Sequence, residues 1–439
     1  MLLALPTSLL ALLGLILAQN TATRTAYVAS AAATALTNSP TSNVPGKAFN
    51  RFVVIWLENT DYPKAAGDPN LSLLASKGIT LSNYHAVTHP SQPNYMASVG
   101  GDYFGLASDR LVTLPSNISS IVDLLEDKGI SWGEYQEHMP YTGFKGFAWR
   151  NQHNGANDYV RKHNPLIMFD SIANNPQRLS CIKNLTMFHR DLSTNKLPQW
   201  MFITPNMTND GHDTSVTTAG TWTRRFLDPL MHDANFMNHT LVLITWDENH
   251  TYALKNNVFG ILLGDAVPAD LIGTTDPNIY THYSELATVE ANWDLHTLGR
   301  YDVGANVFSI VAQKTGDTIR NWTLPPFNQV FLNQSYPGPL NSAGGAWPQP
   351  NTIAVVNGRS VLPSVVNAWP SFSGETYYGT GIEISDAQHP PATASSTSAD
   401  MVPSSTAKST TPLSQPERSW FFATVCRVAF ALLGWRDFD

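Results

Sequence analysis

The chain has 439 residues, of which 43% are hydrophobic, and this is enough for one large α/β domain or two ordinary ones. Its formal net charge is -8, so the composition does not favour a nucleic-acid polyanion as partner. With only Cys181 and Cys426, the chain has neither a disulfide framework nor a thiolate metal cluster, and the fold must depend on its own core.

The two ends of the chain differ in composition from the part between them. Residues 1–18 form an apolar run that ends in a small-residue pattern near Ala18, which predicts a signal peptide. That run begins without Lys or Arg, so a signal anchor is the alternative. Residues 19–48 are rich in Ala, Thr, Ser and Asn and are expected to form a flexible leader.

The other boundaries follow from the same shifts in composition. Residues 49–384 carry the strand and helix patterns and are the predicted catalytic domain. Residues 385–418 are rich in Ser, Thr and Pro and predict a disordered linker. Residues 419–439 form an apolar tail interrupted by Arg427; an anchor remnant, a GPI signal, an amphipathic tail and an unstructured end stay open, and any membrane contact is expected only there.

Glycosylation sequons support secretion independently of the signal peptide. The chain has eight Asn-x-Ser/Thr sequons without Pro at x, which predicts an N-glycosylated protein outside the cell or in the cell wall. These sequons begin at Asn70, Asn117, Asn184, Asn206, Asn238, Asn249, Asn321 and Asn333.

Between the ends, apolar strand-like runs alternate with helix-like segments. In chain order, "RFVVIWL" precedes "NLSLLASKGI", "NISSIVDLLEDKGI" precedes "SWGEYQE", and "QWMFIT" precedes the helix-like "GTWTRRFLDPLMHDANF". "TLVLITW" and "NVFGILLG" follow. This alternation predicts an α/β fold with a largely parallel sheet and helices on both faces.

Two of these strands end in matching polar pairs. Glu58 and Asn59 follow the first apolar run, and Asp247 and Glu248 follow "TLVLITW". Ligands bind outside the carboxyl ends of parallel strands, and carboxylates brought together there repel unless a cation lies among them. We therefore predict one divalent metal of the oxygen-preferring kind, such as Mg²⁺, Ca²⁺ or Mn²⁺; the alternative is that each pair caps a helix or ends its strand in solvent.

A third candidate element is the proline-rich turn before "NYMASVGG". Ser91 lies in this turn, just before a predicted helix, where free N–H groups favour anions. A hydroxyl there can bind a metal, lose its proton and attack phosphorus, whereas the plainer alternative is an N-cap serine. Thr88, three residues earlier, is a second candidate nucleophile. His89 and Asn94 flank Ser91 and are predicted to bind substrate.

Histidines near strand-like segments complete the candidate set. His212 lies with Asp210 and Asp213 in a polar loop, and His282 lies just ahead of the helix that contains Ser284 and Glu285. Either His212 or His282 could bind phosphate or protonate a leaving group, although a lone histidine is usually an ordinary surface or core residue. His138 and His163 have weaker support.

Five motifs in this order resemble a known family: "LENTD", "THPSQPNYMASVGG", "NMTNDGHD", "ITWDEN" and "YTHYSELATVE". The family is the phosphoesterases that contain fungal secreted acid phosphatases and bacterial non-specific phospholipases C. The resemblance covers roughly residues 50–310. It implies an alkaline-phosphatase-like three-layer sandwich. It also implies a metal and a nucleophile at Glu58, Asn59, Ser91, Asp247 and Glu248, with His212 and His282 on the phosphate.

Two departures favour the acid phosphatase branch of this family. Thr60 stands where the phospholipases usually have His, and the chain is short of a separate lipid-binding domain. The expected activity is hydrolysis of small phosphate monoesters at acidic pH through Ser91. The alternatives are a phosphodiesterase or phospholipase C with the same site, and a catalytically inactive cell-surface glycoprotein.

Overall fold

The computed structural model describes residues 25–321, 332, 335–342, 344–369 and 378. The strands are β1 Arg51–Leu57, β2 Ile79–His85, β3 Trp132–Gln136, β4 Ala148–Arg150, β5 Asn157–Val160, β6 Ile182–Asn184, β7 Trp200–Thr204, β8 Thr240–Trp246, β9 Asn257–Leu263, β10 Thr274–Thr281, β11 Val355–Val356 and β12 Arg359–Ser360. The α-helices are α1 Thr25–Thr34, α2 Tyr62–Gly67, α3 Pro69–Ala75, α4 Ser91–Gly100, α5 Ile121–Asp127, α6 Asp170–Ala173, α7 Pro176–Leu179, α8 Thr186–Ser193, α9 Val216–Leu230, α10 Ala234–Met237, α11 Tyr283–Trp293, α12 Ser309–Thr315 and α13 Pro363–Ala368. Short 3₁₀ segments are Arg161–His163, Leu166–Met168, Ala269–Leu271 and Tyr301–Val303.

An eight-stranded sheet organises the described domain. Its order is β10-β2-β9-β8-β1-β7-β3-β6. All neighbouring pairs are parallel except those of β9, which runs antiparallel to both β2 and β8. The carboxyl ends of the parallel strands therefore meet at one edge of the sheet, which is where the polar strand ends were predicted to lie.

The sheet is covered on both faces, as the continuous apolar runs predict. Every residue of β8 is buried, without the alternation of a half-exposed strand. On one face Trp56 packs on Tyr95 of α4, with ring centroids 4.7 Å apart. On the other face Phe259 packs on Tyr62 of α2 at 5.4 Å. The predicted α/β class, with a largely parallel sheet between two layers of helices, is confirmed.

Local boundaries differ slightly from the sequence patterns. The helix-like stretch "GTWTRRFLDPLMHDANF" forms two helices, α9 and α10, that are separated at residues 231–233. Pro229 lies in the last turn of α9, and Asp233 accepts hydrogen bonds from the first amides of α10. A proline near the helix end and a new N-cap explain why the pattern breaks there.

A flexible leader was expected over residues 19–48. Its described part, residues 25–48, instead packs against the domain. After α1, the chain is extended, and Ser39 Oγ donates to Asp191 Oδ1 at 2.7 Å. The other oxygen of Asp191 pairs with Lys183 Nζ, also at 2.7 Å, and both side chains are buried. Polar leader side chains are used here to satisfy buried groups, which a composition rich in Ser, Thr and Asn does not reveal.

The described residues beyond 321 also join the domain. Asp102 is fully buried and accepts hydrogen bonds from the hydroxyls of Tyr336 and Tyr378. The predicted signal peptide 1–18, linker 385–418 and apolar tail 419–439 all lie outside the described residues. Among the helices that are described, none has the length and apolar character that crossing a membrane requires.

Candidate active site

The two polar strand ends that the sequence singled out lie side by side. Strands β1 and β8 are parallel neighbours, with Leu57 opposite Trp246, so the residues that follow them meet. The backbone N–H of Asn59 donates to Asp247 Oδ1 at 3.0 Å. Both Glu58 and Asp247 are fully buried. The carboxylates thus face each other at the carboxyl edge of the sheet.

Ser91 adds a hydroxyl to this carboxylate pair. It is the first residue of α4 and is buried, and its Oγ donates to Glu58 Oε2 at 3.2 Å. Its hydroxyl also hydrogen-bonds the Asp247 carboxylate. The other candidate nucleophile, Thr88, turns its Oγ1 toward the backbone carbonyl of His89 at 3.4 Å. Of the two hydroxyls, only that of Ser91 has described contacts with the carboxylates.

The electrostatics of this cluster favour either protons or a cation on its carboxylates. Burial, and then the charge of Asp247, raises the pKa of Glu58 well above its usual range. Burial likewise raises the pKa of Asp247. As oriented, the side-chain oxygen of Asn59 faces these carboxylates; with the amide turned, its nitrogen would donate to Glu58 Oε2 and Asp247 Oδ1, each at 3.1 Å. An amide oxygen among carboxylate oxygens is a donor set that fits a hard cation.

Two further residues of the cluster, His163 and Asp210, received no firm role from the sequence. His163 Nε2 lies 3.2 Å from Glu58 Oε1, and its Nδ1 lies 3.5 Å from Asp210 Oδ2. Possible ligand atoms of these three residues all lie within 4.8 Å of one another, so they could hold a metal ion. His163 Nε2 and Asp210 Oδ2 are buried, and within the part of the chain that the structure describes neither makes a hydrogen bond of acceptable geometry, which supports a ligand role.

The charge states of these two groups also favour a ligand role. Burial, together with the nearby charge of Lys162, lowers the pKa of His163 well below its usual range, so the ring is neutral. A neutral imidazole can ligate a metal. Burial raises the pKa of Asp210. The position of Asp210 was readable in principle, because its loop follows β7, the other neighbour of β1. His163 is the last residue of a short 3₁₀ segment and gives no such signal.

Glu248 points to a second group of residues rather than to Glu58. Its Oε2 lies 2.8 Å from His89 Nδ1 and accepts from Asn94 Nδ2 at 3.4 Å. The ring of Tyr252 stacks on His89 with centroids 3.7 Å apart, and its hydroxyl hydrogen-bonds Glu248. Glu248 thus fixes the His89 ring beside Ser91, and its assignment as a metal ligand stays a prediction.

A cationic group lies at the entrance of the cluster. Lys162 Nζ lies 3.0 Å from Asp109 Oδ2 and 3.4 Å from His212 Nε2. The other ring nitrogen of His212 lies 2.8 Å from Asp213 Oδ1. Lys162 and Asp109 were not identified from the sequence. His212 lies beside Lys162 and His163, and its role on the phosphate stays a prediction.

His282 does not occupy the predicted substrate position. It is fully buried behind the strand end, with Nε2 2.7 Å from the backbone oxygen of Asp247 and Nδ1 3.1 Å from the hydroxyl of Tyr84. Burial lowers its pKa to about 3, so the ring is neutral and cannot balance phosphate charge. The His282 ring instead holds the backbone of Asp247 through this hydrogen bond.

Asn94 also differs from the prediction of a substrate-binding residue. Its Oδ1 accepts from the backbone amides of Val87 and Thr88, and its Nδ2 donates to the Thr88 carbonyl at 2.8 Å. The side chain is fully buried and shapes the turn that presents Ser91. His138, the other weakly supported histidine, has a half-exposed side chain with contacts to Asn206 and Asp158.

Comparison with known proteins identifies the class of enzyme. The Phosphoesterase family matches residues 69–296. A probable acid phosphatase of Kluyveromyces lactis is 56% identical over 75% of this chain and 77% of its own length. An acid phosphatase of Aspergillus fumigatus is 54% identical over 72% of this chain and 70% of its own length. The resemblance inferred from the five motifs is confirmed, and with it the expectation of a phosphoric ester hydrolase.

Two further comparisons concern proteins of lower sequence identity to this chain. A phosphatidylinositol-3-phosphatase of Mycobacterium tuberculosis is 29% identical over 57% of this chain and 79% of its own length. Among solved structures, a phosphonate monoester hydrolase of Agrobacterium radiobacter has a TM-score of 0.40 at 12% identity, covering 62% of this chain and 78% of its own. Similarity at that level carries no conclusion about activity.

Proposed function

Because the chain belongs to the Phosphoesterase family, we propose that it is an acid phosphatase that hydrolyses phosphate monoesters through Ser91. One observation carries the proposal. The Ser91 hydroxyl lies at the start of α4, 3.2 Å from Glu58 Oε2, within a buried cluster of oxygen ligands. The similar fungal proteins, which bear the name acid phosphatase, support the choice of reaction.

The residues fit a divalent metal ion of the oxygen-preferring type. Glu58, Asn59 and Asp247 would hold it, with His163 and Asp210 as further ligands. When bound, such an ion would lower the pKa of the Ser91 hydroxyl and neutralise charge on the phosphate oxygens. The buried His163 Nε2 and Asp210 Oδ2 atoms, which make no hydrogen bond among the described residues, are the observation that supports this fit.

The chain's own residues account for the remaining steps. Ser91 Oγ passes its proton toward Glu58 Oε2 and forms a bond to phosphorus, while the bond from phosphorus to the substrate alcohol breaks. Lys162 and the first amides of α4 stabilise the charge on the phosphoryl oxygens. His89 or His212 donates a proton to the leaving alcohol.

The second half of the reaction restores the enzyme. Water attacks the phosphoserine, the bond from phosphorus to Oγ breaks, and Oγ regains a proton as phosphate leaves. The neutral histidines His163 and His282 do not take part as acids, since burial keeps both uncharged. The proton donor to the leaving alcohol is thus expected to be the entrance histidine His212 or His89.

Secretion and glycosylation form part of the proposal. The N-terminal sequence supports export, and the sequons at Asn117 and Asn238 are exposed on the described surface. The sequon at Asn249 is different, because its side chain is buried and its Nδ2 donates to the Thr251 carbonyl at 3.0 Å. A glycan is therefore not expected at Asn249.

The test is hydrolysis of p-nitrophenyl phosphate from pH 4 to 8 by the purified protein, before and after chelation. Ser91→Ala should lower kcat by about 10³-fold or more. Ser98→Ala is the matched control, since Ser98 is a buried serine of the same helix whose Oγ donates to the Tyr95 carbonyl. Full turnover by Ser91→Ala would refute the nucleophile. Activity on diesters alone would favour the phosphodiesterase or phospholipase C alternative, and no activity with no bound metal would favour the inactive glycoprotein.

A further inference from the structure

A carboxylate of the chain itself lies on the groups that should bind phosphate. Asp109 belongs to the segment between α4 and α5 and reaches back over the start of α4. Its Oδ1 accepts from the backbone N–H of Gln92 at 3.0 Å, and its Oδ2 accepts from Lys162 Nζ at 3.0 Å. Gln92 directly follows the proposed nucleophile, so its amide lies beside the place where a phosphoryl group on Ser91 would be held, and Lys162 shares Asp109 with that amide.

These donors have the properties of an anion subsite. The Gln92 amide is one of the free N–H groups in the first turn of a ten-residue helix. Lys162 keeps its charge there: burial acts to lower its pKa, but the charges of Glu58 and Asp109 outweigh that effect and raise it. His212 Nε2, 3.4 Å from Lys162 Nζ, extends the polar rim.

Asp109 is also accessible enough to move. Its side chain is 31% exposed, whereas that of Lys162 is 14% exposed. Its charge also adds to the effect of burial in raising the pKa of Glu248 and of Tyr252. A carboxylate with one backbone donor and one lysine donor at the rim copies two of the hydrogen bonds that a phosphate would make.

We propose that Asp109 is an internal competitor for phosphate, which must release the Gln92 amide and Lys162 before a phosphate ester or the product phosphate can bind. It therefore raises KM and weakens product inhibition. This inference rests on the proposed function. The opposite possibility is that Asp109 positions Lys162 for the substrate, and it predicts changes of the opposite sign.

The experiment uses the full-length protein and the variant Asp109→Asn, which removes the charge and keeps the size. Binding of inorganic phosphate is measured by calorimetry, and KM and kcat are measured with p-nitrophenyl phosphate. Releasing one charge-assisted contact should lower both KM and the phosphate Kd by about tenfold and change kcat by less than about threefold. Asp109→Ser, which shortens the side chain, should show the same direction.

The control is Asp123→Asn, because Asp123, like Asp109, accepts hydrogen bonds from one backbone amide and one basic side chain. Asp123 accepts from the Ser120 amide at 2.9 Å and from Arg178 at 2.8 Å, and its side chain is 18% exposed. This variant also removes one negative charge, and it should leave KM and the phosphate Kd as in wild type. In a Lys162→Met background, Asp109→Asn should tighten phosphate binding much less, because one of the contested donors is gone.

The outcomes separate this inference from the proposed function. An unchanged or raised KM and phosphate Kd in both Asp109 variants, in a wild type that hydrolyses monoesters, overturns the competitor role and leaves the function intact. Tighter phosphate binding in the variants of a protein that hydrolyses no monoester supports the competitor role while the function fails. Phosphate binding that is undetectable in wild type and in both variants overturns the inference.

Discussion

Glu285 offers a sharp test of how burial sets the pH dependence of folding. Its side chain is buried behind the active site, where Oε1 accepts from Trp56 Nε1 at 3.0 Å and from the Tyr84 hydroxyl at 2.8 Å. Burial raises its pKa from 4.5 to about 8. The folded state therefore holds this proton more tightly than the unfolded state does, and the stability gained is present below pH 4.5 and is lost as the pH rises toward 8.

The magnitude follows from that shift. At pH 5 the unfolded state has already released most of this proton, while the folded state still holds it and has released only about half of it at pH 8. This difference should lower the free energy of unfolding by about 3 to 4 kcal/mol over the interval. Other groups titrate in the same range, so the wild-type change alone does not isolate Glu285.

The variant Glu285→Gln isolates it. Glutamine keeps the oxygen that accepts from Trp56 and Tyr84 and has no proton to release. In urea denaturation at pH 5 and pH 8, the variant should lose about 3 to 4 kcal/mol less stability than wild type over this interval. The control Glu126→Gln makes the same change at a half-exposed side chain and should keep the wild-type difference. Equal losses in wild type and Glu285→Gln would refute the argument.

Three further predictions test other parts of the structure. Chelation should lower the melting temperature more at pH 7 than at pH 5, because protons can replace a cation on Glu58, whose pKa burial raises; an equal decrease at both would count against the site. Lys183→Met should lower the free energy of unfolding by about 3–5 kcal/mol in urea denaturation, since the Asp191 carboxylate stays buried without its cationic partner. Peptide mass spectrometry should find glycan at the exposed Asn117 and none at the buried Asn249.

The sequence predicted the strand-end part of the site for a physical reason. Buried parallel strands are continuous apolar runs, so the point where a run stops and carboxylates begin marks the edge of the sheet at which ligands bind. Glu58 and Asp247 were found in this way, and the register of β1 with β8 brings them together. Ser91 was found because its turn precedes a helix, which is again a local signal.

The residues that were missed or misplaced depend on packing between distant segments. Lys162 and Asp109 come from segments without periodic patterns, and nothing local indicates that they meet. His282 was placed correctly along the chain, just before α11, but its ring turns inward onto Trp56, with centroids 4.3 Å apart. Sequence position gives the end of an element; the direction of a side chain at that end is set by what the core can accommodate.

The charges of the described site explain why such a pocket suits acidic conditions. The buried carboxylates of Glu58, Asp210 and Asp247 all have raised pKa values, because burial disfavours their ionised forms. Each therefore needs either a proton or a cation, and a bound metal must displace protons to be held. Lys162 is at the entrance, paired with Asp109, and its charge offsets only part of this effect of burial. A low pH thus stabilises the empty pocket and favours protonated groups that can assist the leaving alcohol, whereas metal binding requires those carboxylates to ionise. The enzyme should be active over the pH range in which the carboxylates are ionised enough to bind the metal and the proton donors are still protonated. Protonation of the carboxylates should set the acid limit of activity, and deprotonation of the donors should set the alkaline limit.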